Sequence, residues 1–172
     1  MTDSRLIIMR HAKSDWDTKV CRDFDRPLSK RGRRDGLRMA KWLLEKRLVP
    51  DILVSSPALR ARQTAEIVAN EIRIPADDII WADQLYESSL TDLLEVVEDY
   101  CDKAGSLLLV GHNPGLDDLL CFLASEAPTY TLKGKLMTTS AIAVLNYAAR
   151  VMTTENKAAF LEYLARPREL EK

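Results

Sequence analysis

The chain has 172 residues, enough for one domain to bury a core without disulfides or metals. With 47% hydrophobic and 30% charged residues it has ordinary globular composition, which excludes a disordered or low-complexity chain. A formal net charge of −1 gives no general attraction to nucleic acid, and no stretch approaches the roughly 18 apolar residues of a membrane span.

Short apolar runs alternate with helical patterns along the chain. Strands are expected at 5–9, 51–55, 79–82, 106–110 and 140–147, and helices at 30–47, 58–72, 89–103, 114–125 and 154–165. Runs such as Leu6-Ile7-Ile8-Met9 are continuously apolar, which suits strands buried on both faces. Alternation with helices argues βαβ units, hence an α/β three-layer sandwich with a mostly parallel central sheet and helices on both faces. Ser29 is placed to cap the first helix, which carries Leu37, Ala40, Leu43 and Leu44 at helical spacing. Thr91 offers a cap for the helix at 89–103. A single domain over 1–172 is expected, with the charged tail after Pro167 frayed.

The three cysteines, Cys21, Cys101 and Cys121, are odd in number and form no C-x-x-C pair, so neither a disulfide scaffold nor a structural zinc site is expected. Arg10-His11 interrupts the only early hydrophobic run, which leaves no signal segment. The cytoplasm is the expected compartment.

The two histidines carry the chemistry. His11 follows Leu6-Ile7-Ile8-Met9-Arg10, and His112 follows Leu107-Leu108-Leu109-Val110-Gly111. Both stand where a buried strand ends, and open α/β sheets bind ligands outside the carboxyl ends of their strands. A third strand end, after Ile52-Leu53-Val54, carries Ser55-Ser56-Pro57-Ala58-Leu59-Arg60-Ala61-Arg62-Gln63-Thr64. Histidine, arginine and serine or threonine converging at three strand ends suggest a phosphate site with a histidine nucleophile.

These segments resemble the histidine phosphatase superfamily, in its branch-one, phosphoglycerate mutase-like group. The resemblance rests on Arg10-His11-Ala12-Lys13-Ser14, on the 55–64 stretch and on Gly111-His112-Asn113, and runs from about residue 5 to about residue 147. Shortness and Asp25-Arg26-Pro27-Leu28-Ser29 look like the compact SixA-type phosphohistidine phosphatases. The resemblance implies a phosphohistidine on His11 followed by hydrolysis, phosphate binding by Arg10 and Arg60, and a transition-state donor in His112. No metal or cofactor is implied, because the arginines and His112 supply positive charge.

Arginine suits this work, since its planar fork donates parallel hydrogen bonds to phosphate oxygens. Arg60 rather than Arg62 matches the family arginine, because it directly precedes Ala61. Two residues apart on a helix, the pair points about 200° apart. His11 would attack through one ring nitrogen while the other is held by a nearby carbonyl. Ala12 replaces the glycine of the mutases and should keep a negative φ. Ser14 can donate a hydroxyl to phosphate. Asp17 stands where many mutase-like members carry asparagine, which argues against a phosphate contact there. Glu87 is the natural candidate for a general acid, although SixA-type members do without one. Arg26 can reach the phosphate or organise its own turn. Asn113 and Thr138-Thr139-Ser140 are possible polar liners of the crevice.

Two partners remain open: a protein bearing phosphohistidine, or a small phosphorylated metabolite. A non-catalytic phospho-binding module is the third alternative. The chain leaves little room for insertions that would cover the pocket, which favours the protein substrate.

Overall fold

The computed structural model describes residues 3–170. In chain order the elements are β1 (Ser4–Arg10), α1 (Lys30–Glu45), β2 (Ile52–Ser55), α2 (Leu59–Ile72), β3 (Ile80–Trp81), α3 (Leu90–Tyr100), β4 (Ser106–Gly111), α4 (Gly115–Leu123), β5 (Ile142–Tyr147) and β6 (Phe160–Ala165). The six strands form one sheet in the order β3-β2-β4-β1-β5-β6. The pairs β1–β4, β2–β4 and β2–β3 are parallel. The pairs β1–β5 and β5–β6 are antiparallel.

Side chains of β1 point alternately to two cores. Leu6 and Ile8 pack with Leu93, Val96 and Val97 of α3 and Leu116, Leu119 and Leu120 of α4. Ile7 and Met9 pack with Met39, Ala40 and Leu43 of α1 and Ala61, Ala65 and Val68 of α2. This is the three-layer α/β sandwich that the continuous apolar runs imply. All four β1 side chains are fully buried, each stabilising the fold by roughly 1.5–3 kcal/mol relative to exposure.

Four expectations need correction. Residues 160–165 form strand β6 rather than the end of a helix over 154–165. The high helix propensity of the stretch yields to pairing with β5. A register shift at Val144/Leu145 also breaks the period of two: Leu161 and Leu164 face one core, Tyr163 and Ala165 the other. Ser89, not Thr91, caps α3: its Oγ accepts from Asp92 N at 3.2 Å, while Asp92 Oδ2 accepts from Ser89 N at 2.8 Å. On α1, Ala40 and Leu43 are buried, but Leu37 and Leu44 lie half-exposed at the edge of the apolar face. After Arg166 the chain makes a 3-10 turn, Pro167–Leu170, where the sequence suggests a frayed tail. Residues 171–172 lie outside the described residues.

Helix α1 is tied to the segment that follows β1. Ser29 Oγ accepts from Gly32 N at 3.0 Å and donates to the Lys13 carbonyl at 3.0 Å. Gly32 lies so close that an added Cβ would stand 2.0 Å from the Lys13 oxygen. No backbone atom can yield that much without moving the loop. Gly32→Ala should therefore lower stability by at least about 2 kcal/mol and weaken turnover, both measured on the same preparation by thermal melting and assay. An unaltered melting temperature would contradict the close packing.

Candidate active site

The β1–β4 ladder pairs Arg10 with Gly111 and continues one step further, with His11 N donating to the Gly111 carbonyl at 3.0 Å. Two parallel strands thus deliver their histidines side by side. The rings of His11 and His112 lie 5.0 Å apart and tilted. Arg60 comes from the first turn of α2, and both histidines and Arg60 are buried.

The protonation pattern of His11 follows from its partners. Nδ1 lies 2.7 Å from the Ala12 carbonyl, an acceptor only, so Nδ1 carries the proton. Nε2 then holds the lone pair and accepts from Arg60 Nε at 3.4 Å. The ring is held well below the ordinary histidine pKa, chiefly by burial and then by His112; the Ala12 carbonyl opposes this, and Arg60 and Arg10 reinforce it. Ala12 is outside the positive-φ residues, as its side chain requires. Its N–H donates to Thr64 Oγ1 at 2.9 Å, and Thr64 donates to the Arg60 carbonyl at 2.7 Å. One threonine therefore locks the His11 loop to the turn that carries Arg60.

His112 Nε2 lies 2.8 Å from Ser56 Oγ, while its Nδ1 is buried without a partner among the described residues. Burial first, then Arg60, with Arg10 and Arg26 adding to it, pushes the ring pKa down to about 3 against the pull of Asp23. Three guanidinium groups, those of Arg60, Arg10 and Arg26, thus act on one imidazole. Arg10 donates to the Met137 carbonyl at 2.9 Å and keeps a buried Nε without a partner among the described residues. Asn113 donates to the same carbonyl at 3.0 Å, and Met137 N donates to Asp117 at 3.0 Å. Met137 is a backbone junction that fixes Arg10.

Arg26 is buried, donates to Ser14 Oγ and pairs with Asp23 at 2.6 Å, and its guanidinium lies 3.6 Å from the centre of the Trp16 ring. Ser14 is likewise buried and accepts from Arg26, which leaves its hydroxyl hydrogen free to donate. Arg62 points elsewhere: it is exposed and lies over the Trp81 ring at 4.9 Å. Asp17 is exposed, and its N–H turns back to Asp15. Glu87 is exposed at a left-handed φ of 52°. Thr138 and Thr139 line a cavity together with Arg10.

Sequence reasoning missed two residues. Asp23 binds Arg60 through its carboxylate and its carbonyl, both at 2.9 Å, and also binds Arg26. The Arg26 hydrogen bond, with help from Arg60, holds the Asp23 carboxyl below its usual pKa. Tyr86 packs edge-on to His112 at 5.4 Å and donates to Asp23 at 3.3 Å. Neither lies at a strand end; the acidic Asp-Phe-Asp run before Arg26 was the signal for Asp23, and adjacency to Glu87 the signal for Tyr86.

Buried guanidinium forks around two neutral imidazoles, one with a directed lone pair, define an α/β site for phosphoryl chemistry. The sequence profile of the histidine phosphatase superfamily (branch 1) matches residues 6–93. An uncharacterised protein of Mycobacterium tuberculosis is 34% identical over 157 residues, covering 89% of this chain and 96% of its own. A protein of Arabidopsis thaliana is 29% identical over 131 residues, 72% of this chain, but the match spans only 60% of that relative's length. A solved structure described as a candidate phosphohistidine phosphatase SixA of Agrobacterium tumefaciens superposes with a TM-score of 0.75 at 26% identity, covering 95% of this chain and 98% of that one. The chain belongs to the histidine phosphatase superfamily, branch 1, and is a phosphatase with SixA-like structure.

Only two histidines occur, so each can be followed by NMR. Both should remain neutral at pH 6, although the ordinary value is 6.5. Below 6.5 the unfolded chain takes up protons that the folded chain refuses, so stability should fall as pH drops from 6.5 towards about 3. Added tungstate or vanadate should raise the His112 pKa, since an anion favours the imidazolium. A His112 titrating near 6.5 without ligand would contradict the desolvated site.

Proposed function

We propose that the protein is a metal-independent phosphatase that forms a phosphohistidine on Nε2 of His11 and acts on phosphohistidine in proteins. The observation that carries the reading is the fixed His11 tautomer, Nδ1 on the Ala12 carbonyl and Nε2 directed at Arg60. Nε2 attacks phosphorus, and the bond from phosphorus to the substrate's imidazole nitrogen breaks. That imidazole, protonated on its distal nitrogen, leaves neutral. Water then cleaves the new bond on His11 and releases inorganic phosphate. Arg10, Arg60 and Arg26 balance the equatorial oxygens, Ser14 donates its hydroxyl, and the unpartnered His112 Nδ1 donates to a phosphoryl oxygen. The incoming oxyanion competes with Asp23 for the Arg60 and Arg26 donors.

The choice of phosphohistidine rests on the leaving group. Alkyl phosphates need a general acid, because an alkoxide leaves poorly. Asp23, the carboxylate bound directly to the site arginines, is held ionised by them and keeps no proton to give. Glu87 is exposed. A protein substrate and the free cysteines accord with a cytoplasmic enzyme. No helix among the described residues is long and apolar enough to cross a membrane. A small-metabolite phosphomonoesterase is the second reading, with Glu87 as its acid.

Arg10→Ala and Arg60→Ala should each lower kcat/KM by at least ~10²-fold, while Arg62→Ala should cost only a few-fold. Equal losses at 60 and 62 would refute the assignment. Chelators should leave the rate unchanged.

A substrate panel tests the class. Wild-type kcat/KM should be highest on a phosphohistidine protein, and Glu87→Gln should change no rate more than a few-fold. A preference for sugar phosphates, with a loss of roughly 10²–10⁴-fold on alkyl phosphates in Glu87→Gln, would select the metabolite reading.

A further inference from the structure

A cavity of about 600 Å³ has Arg10, the residue before His11, in its wall. Its other cationic liners are Lys13, Arg31, Lys133, Lys135, Arg166 and Arg168, against a single carboxylate, Glu169. Glu169 is spent on Arg166 at 2.9 Å, and Arg31 is paired with Asp35 at 3.2 Å. Lys13, Lys133, Lys135 and Arg168 are exposed and have no carboxylate within salt-bridge reach among the described residues. A chain of net charge −1 thus sets seven cationic side chains around a cavity that shares Arg10 with the histidine site.

The two lysines nearest in sequence are held in place. They ride on a turn in which Thr131 N donates to the Lys135 carbonyl at 2.8 Å and Lys135 N to Thr131 Oγ1 at 3.0 Å, with Gly134 at a φ of 69°. Buried Arg166 ties the same loop down through the carbonyls of Leu136 and Thr129. Ordering the loop in advance lowers the entropic cost of binding. Between the lysines and Thr131 stands Leu132, fully exposed at 108%. A site for a small polyanion has no use for a bare leucine, whereas a protein surface covers it.

We propose that this cationic cavity receives an acidic segment of the phosphoprotein substrate, next to the phosphohistidine held by Arg10. The inference rests on the phosphatase reading of the His11 site and adds the determinant of its substrate choice. Arg10 belongs to both places: its Nη1 is fixed on Met137, and the same side chain forms part of the cavity wall. A substrate gripped there carries its flanking residues into a field of lysines that have no carboxylate partner among the described residues, with Leu132 meeting an apolar side chain between the acids. Such a field acts chiefly on encounter and on KM, and salt screens it.

The test uses the full chain, wild type and a Lys133→Ala/Lys135→Ala double variant. Two phosphohistidine peptides of equal length, one flanked by Asp and Glu and the other by Asn and Gln, are assayed beside 4-nitrophenyl phosphate. Binding of the acidic peptide without its phosphoryl group is measured by fluorescence anisotropy. The wild type should prefer the acidic peptide about tenfold in kcat/KM. The double variant should lose most of that preference through KM, and its ratio of acidic-peptide to 4-nitrophenyl phosphate activity should fall about tenfold. The Kd for the unphosphorylated acidic peptide should weaken in parallel, and 1 M salt should abolish the wild-type preference. Equal handling of the two peptides, or a preference that survives in the double variant, would overturn the proposal. A bisphosphorylated metabolite that is the better substrate and suffers the same loss would reassign the cavity to small anions. A wild type that hydrolyses none of the phosphoryl compounds would defeat the phosphatase reading instead, and the anisotropy would still decide the cavity.

Discussion

The parallel pairing of β1 with β4 is the constraint on which the site depends. It aligns Arg10 with Gly111 and sets the backbone of His11 on the Gly111 carbonyl. The two imidazoles therefore start from adjacent strand ends, and their spacing is inherited from the sheet rather than from flexible loops. Fully buried residues on both faces of the two strands hold that register. A slip of one residue would turn every side chain to the opposite face. It would also carry His11 away from Arg60 and Thr64.

Electrostatics then follows from burial. Both rings are buried near guanidinium groups, and both resist protonation. A neutral His11 keeps its lone pair available across the physiological range, which is what attack on phosphorus needs. The arginines need a negative partner, and Asp23 supplies it from the loop before α1. On the proposed reading, phosphate binding is an exchange of one anion for another, so its desolvation cost is already met in part by the folded protein.

Much of this was legible in the sequence because it is local. A histidine after an apolar run marks a strand end, and the two of them with the Ser55–Thr64 strand end point to both fold and pocket. The resemblance picks Arg60 over Arg62, because Arg60 directly precedes Ala61; helical geometry adds that the two point apart, and the Arg62–Trp81 contact agrees. Ser14 as a hydroxyl donor and Arg26, as a phosphate contact or an organiser of its own turn, are both legible as candidates, and the structure joins them to each other. What stayed hidden depends on the path of loops. Asp23 and Tyr86 are far from the strand ends in sequence and meet Arg60 and His112 only after the 15–27 loop and the turn at 83–85 fold over. Strand β6 was concealed by a bulge that erased its alternation. The basic cavity draws on β1, its following loop, α1, the 131–139 loop and the segment 166–169, a combination no local pattern announces.

The central claim is that Nε2 of His11 becomes covalently phosphorylated. Rapid quenching during turnover, under conditions that preserve acid-labile phosphoramidates, followed by peptide mapping and NMR of the modified ring, tests it most directly. The account predicts one phosphoryl group per chain, on Nε2 of His11, formed and lost at rates matching turnover and missing from His11→Ala. Label on His112, on a serine or on a cysteine, or turnover that persists in His11→Ala, would contradict it.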